Sequence, residues 1–216
     1  MASENTSIIN LVGNVTDPTQ TAQPDGSTPP FTTGRQGEQL ASEIHGKYYT
    51  ANYRGKLFEA NATTITVPVN AASLVGVFSL LNPAGSGVNM ELVDTSVNQT
   101  NATTVVDQVG WYFSSATKTA ASTFATAGTV NSGMVGASPA NKAQFYTLTT
   151  FNGTPVLCDV IGGYGAVTNT TAGGICKIYD GRLIVPPGIS ISVAMSTAAG
   201  ATTGLALEAR WVEWPI

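Results

Sequence analysis

With 216 residues, 43% of them apolar, and a mean hydropathy of +0.12, the chain is long enough to bury roughly 70% of its unfolded surface as one domain. Only 10% of its residues are charged and the net charge is −4, from 13 acids and 9 bases, whereas about 25% charge is usual in soluble domains. That balance argues against nucleic acid as a direct partner, because phosphate binders concentrate Lys and Arg, and no apolar run approaches the roughly 18 residues of a membrane helix.

The densest basic stretch, Arg35, Lys47, Arg54 and Lys56, is interleaved with Glu38, Glu43 and Glu59 and reads as a solvated face. The opening residues lack the basic-then-apolar pattern of an export signal. Synthesis in a reducing cytoplasm is therefore expected, with Cys158 and Cys176 as free thiols. Low charge weakens the repulsion between copies of one chain, so assembly is the expected mode of action.

Residues 1–44 read as an extended arm. A short apolar patch, Ile8, Ile9, Leu11 and Val12, is followed by Asp17-Pro18, Pro24-Asp25-Gly26 and Pro29-Pro30-Phe31. Proline fixes φ and pushes the preceding residue toward extended geometry, which excludes a helix here. The apolar islands Ile8, Ile9, Leu11, Val12 and Phe31 are the expected contacts of this arm on another surface.

From Tyr48 the pattern changes to short strands between turn residues. Ile65, Val67 and Val69 alternate with Thr and Pro, giving one buried and one exposed face. Leu74 to Leu81 is a continuous apolar run suited to a strand buried on both faces, and it stops at Asn82-Pro83-Ala84-Gly85-Ser86-Gly87. Val88, Met90 and Leu92 then alternate with Asn89, Glu91 and Val93, so the expected unit is a hairpin. Another strand is expected from Thr103 to Phe113. Residues 114–143, rich in Ala, Ser, Thr and Gly, read as a loop insertion or weakly paired hairpin.

Strands resume at Gln144 to Phe151 and at Pro155 to Ile161, the second ending in a turn at Gly162-Gly163-Tyr164-Gly165. Ile175 to Tyr179 and Leu183 to Val185 follow. After the turn at Pro186-Pro187-Gly188, Ile189, Ile191, Val193 and Met195 alternate with Ser190, Ser192, Ala194 and Ser196. Beyond Ala199-Gly200-Ala201, Leu205, Leu207, Ala209 and Trp211 form one face of a last strand, with Ala206, Glu208, Arg210 and Val212 on the other. About ten strands without an amphipathic helix predict an all-β, antiparallel sandwich or barrel over residues 45–216.

The inventory for chemistry is poor. His45 is the sole histidine, so every Ser-His or Cys-His arrangement would depend on it. Two cysteines cannot assemble a zinc site. Gly85-Ser86-Gly87 lacks the spacing of a nucleophile elbow, and Gly128 to Gly136 lacks the Lys of a phosphate loop. The carboxylate pairs Glu91 with Asp94 and Asp159 with Asp180 remain the best enzymatic possibility, because two acids can run glycoside hydrolysis, but nothing in their spacing favours a cleft over surface placement. No enzyme activity, metal or cofactor is expected. Trp211 and Trp214 read as core or subunit-interface packing, with a carbohydrate platform as the rival, and stand with the apolar residues of the arm as candidate interface residues.

Three clusters carry a family resemblance: Glu43-Ile44-His45-Gly46-Lys47-Tyr48-Tyr49 with Arg54-Gly55-Lys56-Leu57-Phe58; Leu80-Leu81-Asn82-Pro83-Ala84-Gly85-Ser86-Gly87-Val88-Asn89; and Leu183-Ile184-Val185-Pro186-Pro187-Gly188 with the ending Trp211-Val212-Glu213-Trp214-Pro215. Over residues 34–216, apart from 114–143, the chain resembles virion structural proteins of tailed bacteriophages, of the type that decorate or cement the capsid. The resemblance implies an antiparallel jelly-roll sandwich with an extended N-terminal arm. It further implies a homotrimer bound to the major capsid protein on the virion exterior, after synthesis in the bacterial host. A receptor- or glycan-binding module of a fibre is the alternative.

Overall fold

The computed structural model describes residues 47–67, 75–100, 107–114, 126–151, 155–164, 173–196 and 203–216. The arm residues Ile8, Ile9, Leu11, Val12 and Phe31 lie outside the described residues, as do His45, Val69 and the anticipated turn at Ala199-Gly200-Ala201.

The unit Tyr48–Ile216 enters with a single helical turn, α1 (Tyr49–Tyr53), where the sequence reads as strand. Five residues are too few to hold a helix alone. Tertiary packing holds this one: Ala51 is buried against Val93 and Val212, with Tyr48 and Leu57 alongside. The turn closes at Gly55, whose φ of +65° suits a residue without a Cβ.

Twelve strands follow among the described residues: β1 (Leu57–Val67), β2 (Val75–Leu81), β3 (Val88–Gln99), β4 (Asp107–Ser114), β5 (Thr126–Ala127), β6 (Val130–Ser132), β7 (Gln144–Thr150), β8 (Pro155–Tyr164), β9 (Gly174–Ile178), β10 (Ile184–Val185), β11 (Ser190–Met195) and β12 (Thr203–Pro215). They form an all-β sandwich of two antiparallel sheets. One sheet runs β10-β3-β12-β1-β6, with β9 also paired to β3; the other runs β5-β7-β2-β11-β4-β8.

The inward faces meet in one core that holds Phe58, Phe78, Trp111, Trp211, Met90, Leu92 and Leu205. Phe78 is its hub, 4.5 Å from the Phe145 ring and edge-on to Trp111 at 6.1 Å. Burying each such ring stabilises the fold by about 3 kcal/mol. In β12 the expected alternation holds: Leu205, Leu207, Ala209 and Trp211 are buried in this core.

Several expectations need correction. Asn82–Gly87 does not close a hairpin, because β2 and β3 belong to different sheets. Asn82 is the reason the chain can cross there. Its side-chain amide donates to the carbonyls of Val88 (2.8 Å) and Val185 (2.9 Å), tying the loop to a second crossing at Pro186–Gly188. The period-two pattern of Val88, Met90 and Leu92 continues past Val93 to Gln99, but a register shift opposite Arg210 and Trp211 changes its phase. A bulge of this kind turns Val93 outward onto Ala51 and puts Thr95 and Val97 inside.

Residues 126–132 do not form a hairpin either: β5 pairs with β7 in one sheet and β6 with β1 in the other. Gly128 sits at the crossing, where a Cβ would lie 2.2 Å from the Phe145 ring. Gly162, Gly163 and Tyr164 extend β8 instead of turning away from it. The space that a side chain would need at Gly162 is filled by Ile175.

Candidate functional site

The first sheet ends in a cavity of about 390 Å³ beside α1 and β6. Its floor includes Phe58 and its rim carries Tyr53, Met134, Arg54, Lys56 and Lys142. Local geometry follows from α1. The backbone N–H of Lys56 donates to the Ala51 carbonyl at 2.8 Å, so the chain doubles back and brings Lys56 beside the cavity. Asn52 donates from Nδ2 to the Gly133 carbonyl at 3.2 Å, joining the helical turn to the segment after β6. Tyr49 and Tyr53, one turn apart, stack with centroids 6.1 Å apart and present exposed rings.

Glu213 forms the back of the site. Its position continues the inward series Leu205, Leu207, Ala209, Trp211, and it is only 3% exposed. Its carboxylate accepts the backbone N–H of Lys142 (2.8 Å to Oε2), the backbone N–H of Ala143 (2.9 Å to Oε1) and the indole N–H of Trp211 (3.2 Å to Oε1). Three donors converging on one carboxylate compensate its burial. They also fasten residues 142–143 to β12, which holds the Lys142 side of the cavity in place.

The two tryptophans named as interface candidates separate. Trp211 is fully buried in the core, packed 6.2 Å from Phe58, which is the core alternative and removes it from the interface candidates. The cause is the alternation of β12, which turns Trp211 inward and Trp214 outward. Trp214 is 44% exposed, and its indole N–H donates to Oε2 of Glu91 at 2.7 Å.

Each member of the carboxylate pair Glu91 and Asp94 has a separate partner. Glu91 holds Trp214, while Asp94 makes a two-point contact with Arg210, at 2.9 Å to Nε and 2.7 Å to the terminal nitrogen. Asp94 in turn raises the Arg210 guanidinium above its ordinary range. Asp159 meets the Lys177 ammonium at 2.7 Å, whereas Asp180 stands at an exposed turn with φ +48°. Lys177 also donates to the Val160 carbonyl and lies 5.9 Å from the Tyr179 ring, so it bridges β9 in one sheet to β8 in the other. Burial pushes the Tyr179 phenol above its usual range.

Both cysteines are free. Cys158 reaches the surface, yet its thiol donates to the Trp111 carbonyl at 3.0 Å, and burial pushes it up to about 11. Among the described residues no group of three or more His, Cys, Asp and Glu is arranged to hold a metal ion, and no helix is long and apolar enough to cross a membrane.

The sequence analysis does not single out Glu213 or Lys142, and it reads Lys56 only as part of a solvated basic face. The signal for Glu213 was present, since a carboxylate two residues beyond Trp211 falls on the apolar side of the alternation. Nothing in the sequence joins Lys142 to Lys56, because their proximity depends on α1 and the 133–143 segment. Comparison of the chain with protein-family models, curated proteins and solved structures gives no match.

Proposed function

We propose that the chain is a structural virion protein that decorates or cements a bacteriophage capsid by binding the major capsid protein lattice as a homotrimer. Strand order carries this reading. With β5, β6 and β7 treated as additions at the sheet edges, and β10 following β9 along the same edge of β3, the layers run β1-β12-β3-β9 and β2-β11-β4-β8. We read this as the double Greek-key order of the jelly roll, an architecture used by viral capsid and lectin domains. The surface supports the same reading: Tyr49, Tyr53, Met134, Val135, Trp214 and Ile216 are exposed in a chain with few charges. Such side chains gain from burial against a partner, and many repeated copies turn a modest contact into firm attachment.

Electron microscopy of purified particles tests the proposal. The expected image has this sandwich in threefold groups on the shell exterior; a location at a fibre tip, or particles lacking the chain, overturns it. Sedimentation at micromolar concentration tests the trimer separately, and a single-chain mass refutes it.

A second reading, a receptor- or glycan-binding fibre module, draws on Trp214, whose half-exposed ring is held by Glu91, and on the stacked pair Tyr49 and Tyr53. Flat, fixed aromatic rings suit sugar faces. Saturable glycan binding that is lost in Trp214→Ala would favour this module over the capsid protein.

A further inference from the structure

The basic side chains are unevenly committed. Lys177 pairs with Asp159, Arg210 pairs with Asp94, and Arg182 turns back to the Tyr179 carbonyl. Lys56 and Lys142 instead stand on the rim of the 390 Å³ cavity, with Arg54 in the same lining. The carboxylate in its lining, Glu213, is buried and already accepts three N–H donors. Neither the Lys56 nor the Lys142 ammonium meets a carboxylate among the described residues. A chain of net charge −4 thus concentrates positive charge around one concavity, with the aromatic ring of Tyr53 and the thioether of Met134 beside it.

The cavity also adjoins a sheet edge. Among the described residues β6 ends its sheet and pairs only with β1, and Ser132, its last residue, is itself part of the cavity lining. Antiparallel pairing engages alternate residues, so the remaining main-chain groups of β6 point away from β1. Unpaired strand edges of this kind are templates for an added strand.

From these two features we infer that the cavity and the β6 edge together form a docking site for an extended acidic peptide segment of a partner protein. The segment pairs its main chain with β6 and places carboxylates against Lys56 and Lys142. In an extended strand every second side chain faces the same way, so a run with acids at alternate positions presents all of them to the rim. A volume near 390 Å³ lies within the range of formed ligand pockets. A simple anion fits the observations less well, because the lysines are exposed and each exposed charge contact is weak. Several contacts along one strand are needed for useful affinity. The inference deepens the contact-protein reading and rests on it only in taking the partner to be a protein.

The test uses the full chain and a short capped peptide that alternates glutamate and valine, followed by isothermal titration at low and moderate salt. Binding is expected, with at least about tenfold weakening when glutamine replaces glutamate, when Lys56→Glu and Lys142→Glu are combined, or when alternate peptide nitrogens are methylated. Both lysines are exposed, and an unchanged circular dichroism spectrum establishes that the double variant is folded. Failure of the glutamate peptide to bind, equal binding of the glutamine peptide, or indifference to the double variant each overturns the site. Displacement of the peptide by inorganic phosphate at matching concentration reduces the site to a general anion patch and also overturns strand docking. None of these outcomes alters where particle imaging finds the chain.

Discussion

Replacing Glu213 with alanine removes the one acceptor that three donors share: the backbone N–H groups of Lys142 and Ala143 and the indole N–H of Trp211. A hydrogen bond to a charged group contributes about 1.5–3 kcal/mol, and a buried donor left alone costs about 1–3 kcal/mol. Because the cavity admits water to part of this site, the low end applies, and three donors at about 1 kcal/mol each give about 3 kcal/mol for Glu213→Ala. Glutamine keeps one acceptor oxygen but turns an NH₂ toward the Lys142 N–H, so Glu213→Gln is expected to cost about half as much. With a urea slope of about 2 kcal/mol per M, the alanine variant should unfold about 1.5 M earlier than the parent. Equilibrium unfolding followed by tryptophan fluorescence measures this directly. The reasoning fails if the alanine variant lies within about 0.5 kcal/mol of the parent, or if glutamine and alanine cost the same.

Three further outcomes follow from the packing. Trp211→Ala should lose about 3–5 kcal/mol in denaturant unfolding, whereas Trp214→Ala should lose less than about 1 kcal/mol, since only the first empties the core; equal losses would contradict the assignment. Gly128→Ala drives a methyl group into the Phe145 ring and should cost about 1–3 kcal/mol, seen as a lower thermal midpoint; an unchanged midpoint would show that the crossing relaxes freely. For Cys158 the folded thiol keeps its proton to about pH 11 while the unfolded one loses it near 9.0. Its contribution to stability is therefore complete below pH 9 and falls as pH rises through that window. Thiol alkylation at this residue should remain slow at pH 8 and accelerate toward pH 11, and a plateau reached by pH 9 would refute the shift.

Strand content was legible wherever apolar residues recur at every second position for six residues or more, as in β11 and β12. It was also legible in β2, where continuous apolarity means burial on both faces. Legibility failed where the phase slips. The bulge at Val93 ends the visible pattern although the strand runs on to Gln99, because the extra residue reverses which parity faces the core. α1 was invisible since of Tyr49–Tyr53 only Ala51 is a strong helix former; it exists because Val93 and Val212 offer Ala51 a seat. The hairpin expected at Asn82–Gly87 failed for a related reason. Turn residues announce that the chain reverses but not which sheet it enters, and here the amide of Asn82 stabilises a passage between layers. The candidate site shares that limit, for its cations converge from separate segments.

The last two strands each occupy an interior place, β12 between β1 and β3, and β11 between β2 and β4. As the polypeptide leaves the ribosome, neither layer can close until residues 190–215 have emerged. Until then two gaps stand open, each bordered by strands whose inner edges lack a neighbour. Pairings of such long sequence separation form slowly, and strands waiting in that state are prone to stick to other nascent molecules. A growing polypeptide of this design is exposed to such sticking until residues 190–215 are in place, and their loss would remove the centre of each layer and not its margin.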